Sequence, residues 1–314
     1  MADLIRLLEP KAIVPNPENP RLIFRKDDMD ALQASIAQQG ILVPLTVYES
    51  DSDRTFVILD GERRWRCALK LGLSSVPVII QPEPSRIQNI MMMFAIHHAR
   101  TAWDPLPTAY KLRDLEDEFR SREGRQPSES ELAQLASLTR GEVRRLKNVL
   151  ELPDVYHREL LAELDKPRSE QVLTVDHVLE ATRGAAALQK RGVVTEDEEP
   201  LLARSIVDKF KNQIEVSTVA PRQLARIARA VERNEVSREA ARSVATRLIA
   251  EPRFTIQQAF RGSVENVDFE HNIEQAAERL WQNLEEHKRR GYDAGQTLRQ
   301  TLSRLRETLD RFLG

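Results

Sequence analysis

Between residues 60 and 68 the chain reads Asp-Gly-Glu-Arg-Arg-Trp-Arg-Cys-Ala, a glycine followed closely by Arg63, Arg64 and Arg66. The chemistry open to such a run is capture of a phosphate group. A glycine at a strand-to-helix junction lets the backbone approach a ligand, and the first N–H groups of a helix have no partner inside it. The arginines add multi-donor cations on the same turn. A solvated amphipathic helix remains open beside that reading, with Arg63 and Arg66 near one face and Trp65 and Leu69 packing toward the core. The run Gly-x-x-x-x-Gly-Lys is absent, so this is not a P-loop. His97 and His98 are adjacent and would diverge by roughly 100° on a helix. No metal site is expected there, whereas a ligand-facing or surface role is. Cys67, the single cysteine, excludes an internal disulfide framework. No catalytic residue can be named.

A second constellation lies at residues 128–150, SESELAQLASLTRGEVRRLKNVL. Ser128 and Glu131 have capping-box spacing. Leu132, Ala133 and Ala136 would form the inner face of a first helix, with Ala133 small enough for a close crossing. Ser137-Leu138-Thr139 would make the turn, with serine where glycine is common, and Val143 and Leu146 would anchor a second helix. That is helix-turn-helix spacing. The second helix would present Thr139, Arg140, Glu142, Arg144, Arg145, Lys147 and Asn148, side chains suited to base edges and phosphates. An ordinary helical hairpin with a solvated basic face is the alternative.

These groups need elements to hold them. Residues 41–48, 55–59 and 76–80 are short β-branched runs bounded by Gly, Pro, Asp and Ser, and read as strands. Asp28–Gln39 and Gly61–Leu71 read as helices closed by Gly40 and Gly72. From residue 85 the pattern is helical: Ile87–Ala99, Pro105 to about Arg122, then the hairpin, with 123–128 a polar turn. Residues 192–200 read as an exposed acidic loop, and 218–251 and 271–290 as long helices. The fold expected is an α+β N-terminal domain with a small sheet (1–100), an all-α helix-turn-helix domain (101–215) and a helical C-terminal region (216–314). Charged residues make up 31% and the net charge is −2, so DNA affinity would rest on local basic faces. No apolar run is long enough to span a membrane, and the N-terminal run lacks the pattern of a secretory leader. A cytoplasmic, nucleoid-associated protein without membrane partners is expected.

GERRWRCA resembles the GERRxRA box of the ParB-like partition family. Upstream, Asn16-Pro-Glu-Asn-Pro-Arg21 is similar to that family's NPxQPR box, with Asn19 where glutamine is usual, and residues 31–45 resemble its LxxSIxxxGxLxPL stretch. Val149-Leu-Glu-Leu-Pro153 and Leu173-Thr-Val-Asp-His177 are similar to LRLLxLP and LTxGHAR, the latter with Asp176 in place of glycine. The resemblance runs over roughly residues 13–180. It implies a CTP-binding N-terminal domain, with Mg2+ accompanying the nucleotide and Asn19, Arg21, Gly61, Glu62, Arg63, Arg64, Arg66, His97 and Arg100 around it. The family's ENxxR box is represented by Ile96-His97-His98-Ala99-Arg100. Isoleucine cannot position a water or bind a hard cation, so nucleotide binding is expected in preference to hydrolysis, with weak CTPase activity the alternative.

The resemblance also implies a specific DNA site, a homodimer and a ParA-type ATPase partner. Leu298, Leu302, Leu305, Leu309 and Phe312 form a short a/d seam, and Ile273, Ala277, Leu280 and Leu284 a similar stripe, both suited to dimerisation. Residues 261–268 read as a linker. Two competing readings are a transcription regulator or adaptor of the same architecture, and a metal-dependent nuclease relying on Asp60 and Glu62. Sulfiredoxin chemistry would need cysteine where Glu62 stands.

Overall fold

In the computed structural model the chain is described over residues 5–313, apart from 22, 25, 53 and 99–103 and the side chains at 27, 97, 98, 265–268, 271 and 272. Five strands are β1 (Arg6–Leu8), β2 (Ile13–Val14), β3 (Leu45–Glu49), β4 (Phe56–Asp60) and β5 (Val76–Gln81), interleaved with α1 (Lys26–Gln39) and α2 (Glu62–Leu71) and followed by α3 (Arg86–His98). The sheet order is β1-β5-β3-β4-β2. β3 pairs antiparallel with β4 and parallel with β5, while β1 and β2 close the two edges.

Alternation along the strands sends side chains to both faces of the sheet. On one face Leu45, Val47, Ile58, Val76 and Val78 pack with Trp65 and Ala68 of α2. On the other, Tyr48, Val57 and Leu59 pack with Met93 of α3, and Ile96 adds to that cluster. α1 covers α2 through Met29, Ile36 and Cys67. The result is the expected α+β unit with a small sheet.

Several expectations need correction. The strand expected from residue 41 begins at Leu45, because the carbonyls of Val43 and Pro44 are taken by the Arg64 guanidinium. Leu69 is 38% exposed and does not pack toward the core. α2 is wedged between sheet and α1, so its buried stripe is Trp65, Cys67 and Ala68, and Leu69 turns past it. β1 and β2 carry no legible alternation; pairing with distant strands makes them.

The chain divides into two compact units, residues 1–183 with 203–219, and residues 184–202 with 220–314. The first unit continues with α4 (Pro105–Glu123), α5 (Glu129–Leu135), α6 (Arg140–Leu150) and α7 (Asp154–Leu164). α8 (Val175–Gln189) and α9 (Glu198–Lys211) follow, then α10 (Arg222–Glu232), α11 (Arg238–Ala250), α12 (Ile256–Arg261), α13 (Glu265–Arg289) and α14 (Gln296–Leu313).

The stretch expected as an exposed loop at 192–200 buries Val193 and Val194 and enters α9 at Glu198. Gly192 terminates α8 in the left-handed conformation, and the Val193 N–H returns to the Leu188 carbonyl, which tucks the valine inward. Residues 218–251 form two helices, because Asn234 takes a φ of 58° and breaks the run. The linker expected at 261–268 shrinks to three residues between α12 and α13. On α13 and α14, Leu280, Leu284, Leu298, Leu302 and Leu305 are half-buried, whereas Ile273, Leu309 and Phe312 are exposed.

Candidate functional site

The N-terminal site is assembled from two stretches of chain. Gly61 sits at the end of β4 with a φ of 100°, and a Cβ there would lie 3.0 Å from both the Arg64 guanidinium and Leu45. Only glycine fits this junction without strain. It caps α2 without a side-chain acceptor, so the first N–H groups of the helix keep their affinity for an anion.

The neighbouring side chains are pre-arranged. Glu62 is 7% exposed. It accepts a 2.6 Å hydrogen bond from Asn19 Nδ2 and bonds of 2.9 and 2.6 Å from Arg66. Arg66 also stacks 4.0 Å over the Phe24 ring. The Asn19 Oδ1 accepts from the Arg21 N–H at 2.9 Å, which turns the chain toward the same region. Arg63 donates to the Asp28 carbonyl at 2.8 Å. Arg64 turns inward, to the Val43 and Pro44 carbonyls and, at 3.1 Å, to Asp60. The structure therefore brings Asn19, Arg21, Gly61, Glu62, Arg63 and Arg66 to one end of α2, and uses Arg64 to hold the loop before β3. Arg100 and the His97 side chain lie outside the described residues.

Two residues of this neighbourhood escaped the sequence reading although they stand in the same box. Asn16 and Asn89 exchange hydrogen bonds of 2.7 and 3.1 Å. Glu18 accepts from Arg86 of α3 at 3.1 Å and from Lys111 of α4 at 3.0 Å. Their small exposure, 5% and 9%, follows from these non-local partners. Ile96, where the family carries an acid, packs beside Tyr48 and Leu59.

A hard cation needs oxygen ligands. Among the described residues no group of three or more His, Cys, Asp or Glu could hold an ion, and Glu62 is committed to Asn19 and Arg66. These residues do not fit a protein-ligated Mg2+ site. Cys67 is fully buried, and burial pushes its thiol pKa up, which opposes thiolate chemistry.

The second constellation is a helical hairpin with both termini closed by side chains. Ser128 and Glu131 form the capping box at α5, and Thr139 with Glu142 forms another at α6. Arg125 and then Ser128 hold the Glu131 carboxyl down to about 2. Ser137 takes the glycine-like φ of 53° between the helices. Leu132, Ala133, Ala136, Val143 and Leu146 are buried as their spacing requires. Arg140, Arg144 and Arg145 are exposed, and Lys147 and Asn148 half-buried.

Three of these cations already face carboxylates. Arg144 pairs with Glu129 at 2.8 Å, Arg145 with Asp176 at 2.8 Å, and Lys147 with Glu116 at 2.9 Å. The Arg144 and Arg145 pairs involve exposed guanidinium groups and hold weakly, so a phosphate can replace the carboxylate there at small cost. At the start of α8, His177 Nδ1 accepts from the Thr174 N–H at 3.1 Å and the ring stacks 4.3 Å from Phe210. Burial lowers the His177 pKa, which keeps that nitrogen an acceptor.

Residues 2–95 match the family described as the ParB N-terminal domain. The chromosome-partitioning protein ParB of Caulobacter vibrioides is 30% identical over 148 residues, covering 47% of this chain and 46% of that relative. A nucleoid occlusion protein of Geobacillus kaustophilus is 40% identical over 77 residues, 24% of this chain and 27% of the relative. Among solved structures, the C-terminally truncated ParB of Caulobacter crescentus complexed with CTP-gamma-S is 28% identical, covering 51% of this chain and 83% of that one at a TM-score of 0.29. The chain thus spans about half the length of the partition protein it matches. Over residues 2–95 the chain is similar to ParB-type N-terminal domains.

Proposed function

We propose that this chain is a DNA-binding partition protein whose N-terminal domain binds CTP and whose α5–α6 hairpin reads a specific DNA site. The observation that carries the nucleotide half is the Asn19–Glu62–Arg66 chain of hydrogen bonds. It ties the two family boxes together beside the open N-terminus of α2. There Arg21, Arg63 and Arg66 would meet the triphosphate, and the α2 N–H groups would take a phosphate oxygen. The choice of CTP comes from the ParB resemblance of these boxes. Mg2+ would travel with the nucleotide's own phosphates.

With Ile96 half-buried against the cluster that contains Met93, no acid stands at that position to orient a water. Binding without efficient hydrolysis is therefore the activity the site supports. Two copies, dimerised through the apolar stripes of α13 and α14, would close around DNA when nucleotide is bound. A ligand can drive that closure only by binding the closed form more tightly. A ParA-type ATPase would be the motor partner.

Titration calorimetry with the four ribonucleoside triphosphates tests the nucleotide half. CTP binding in preference to the other three, lost in Arg63→Ala, supports it; equal or absent binding sinks it. For the DNA half, α6 residues Arg140 and Arg145 supply the base and phosphate contacts, with Thr139 and Glu142 fixing the helix start. The similarity of 77 residues of the chain to a nucleoid occlusion protein favours one second reading, a DNA-bound adaptor without a partition role. Genome-wide immunoprecipitation separates them: peaks spreading over kilobases fit loading and sliding, and isolated sharp peaks fit the adaptor.

A further inference from the structure

We infer that α10, α11 and α12 form a second helix-turn-helix, a DNA-contacting module separate from α5–α6. The first observation is charge. Residues 220–264 hold nine arginines, no lysine and four glutamates, a surplus of five positive charges in a chain whose net charge is −2. Arginine without lysine is the composition that suits forked contacts to phosphates and guanine edges.

The second observation is geometric, and it repeats the hairpin already described. In the last turn of α5 lies a buried alanine, Ala133, followed four residues later by Ser137 at a φ of 53°. In the last turn of α10 lies a buried alanine, Ala230, followed four residues later by Asn234 at a φ of 58°. The same closing bonds form in each: Leu138 N–H to the Ala133 carbonyl and Glu235 N–H to the Ala230 carbonyl, both 2.9 Å. The turn of the second hairpin is one residue longer, since its cap is Ser237, three residues after Asn234, against Thr139, two after Ser137.

Counted from those caps, the two following helices agree at four positions. The first residue is Arg140 in one and Arg238 in the other. The fourth and seventh are buried: Val143 and Leu146, against Ala241 and Val244. The fifth is again arginine, Arg144 and Arg242, and each is held by a carboxylate of another helix, Glu129 at 2.8 Å and Glu198 at 2.7 Å. The outward face of α11 carries Arg238, Arg242, Ser243, Thr246 and Arg247, with Glu239 as its acid. α12 supplies the third helix that such a module needs, burying Ile256, Ala259 and Phe260.

Helix termination alone does not make this case. α8 ends in a similar left-handed turn at Gly192, yet the next helix is led in by Glu196 and Asp197 and opens with Glu198 and Glu199, which would repel phosphate. α11, like α6, joins the turn to a capped helix that begins on arginine and carries a second arginine at its fifth position.

The test uses the full chain with the photo-crosslinker p-benzoylphenylalanine placed in separate variants at Thr246 and at Arg140, on pooled random-sequence duplex at low salt. A salt-sensitive DNA crosslink from position 246 is the expected result. In a chain already carrying Arg140→Ala and Arg145→Ala, Arg238→Ala should further weaken binding and flatten the salt dependence by about one unit of slope. Arg238→Lys should restore that slope, which a merely structural role would not. A crosslink at 140 with none at 246 overturns the second module and leaves the α6 reading standing. A crosslink at 246 alone supports the module and sinks the α6 reading. Silence at both positions overturns both.

Discussion

Asn19 and Glu62 lie 43 residues apart in the chain and share a 2.6 Å hydrogen bond. The amide shields a carboxylate whose other oxygen is held by Arg66. A buried acceptor that loses its donor costs about 1–3 kcal/mol. Asn19→Ala should therefore destabilise the N-terminal domain by about that amount and weaken CTP binding, because Arg66 would lose its anchored partner. Urea denaturation and calorimetry on the variant check both; an unchanged midpoint would show that the bond contributes nothing.

Gly61→Ala tests the junction itself. At a φ of 100° the new methyl would sit 3.0 Å from Leu45 and the Arg64 guanidinium. Backbone strain of this kind costs about 1–3 kcal/mol. Thermal unfolding should move down, and nucleotide binding should fall further than stability explains, since Arg64 would release the 43–44 carbonyls.

Ser137→Gly should act in the opposite direction. Serine at a φ of 53° bears a left-handed penalty that glycine does not. Part of the gain is offset by glycine's greater unfolded-state entropy, leaving a stabilisation of about 0.5–1 kcal/mol. Differential scanning calorimetry should show a rise in Tm with DNA binding retained. A fall in Tm would mean that the hydroxyl contributes an unrecognised bond.

His177 sets a pH dependence whose sign follows from burial. Its folded pKa lies below the ordinary 6.5, so between the two values the unfolded chain binds more protons. Stability is then fully present above about pH 6.5 and is lost as pH falls toward the folded pKa. Protonation also removes the acceptor that Nδ1 offers to the Thr174 N–H. Denaturant midpoints at pH 7.5 and 5.5 should differ more in the natural chain than in His177→Gln. Equal differences would remove His177 from the account.

Much of the second constellation was legible because its determinants are local. Ser128 and Glu131 stand one helical turn apart, so their cap forms wherever that segment is helical. The burial of Val143 and Leu146 follows from periodicity, and Ser137 in the turn was visible as a departure from glycine. The cap of Thr139 by Glu142 has the same spacing, on two residues that also fall on the face expected to meet DNA.

The N-terminal site divides differently. Residue types in the GERRWRCA run and in the Asn16–Arg21 box were enough to raise the expectation of a phosphate site, and β-branched runs were enough to place β3, β4 and β5. Tertiary structure alone decided that Arg64 turns inward to Val43 and Pro44, that Glu18 reaches Arg86 and Lys111, and that β1 and β2 exist at all. Each of those outcomes depends on a partner distant in the chain, and side-chain spacing carries no information about which distant segment the sheet will bring alongside.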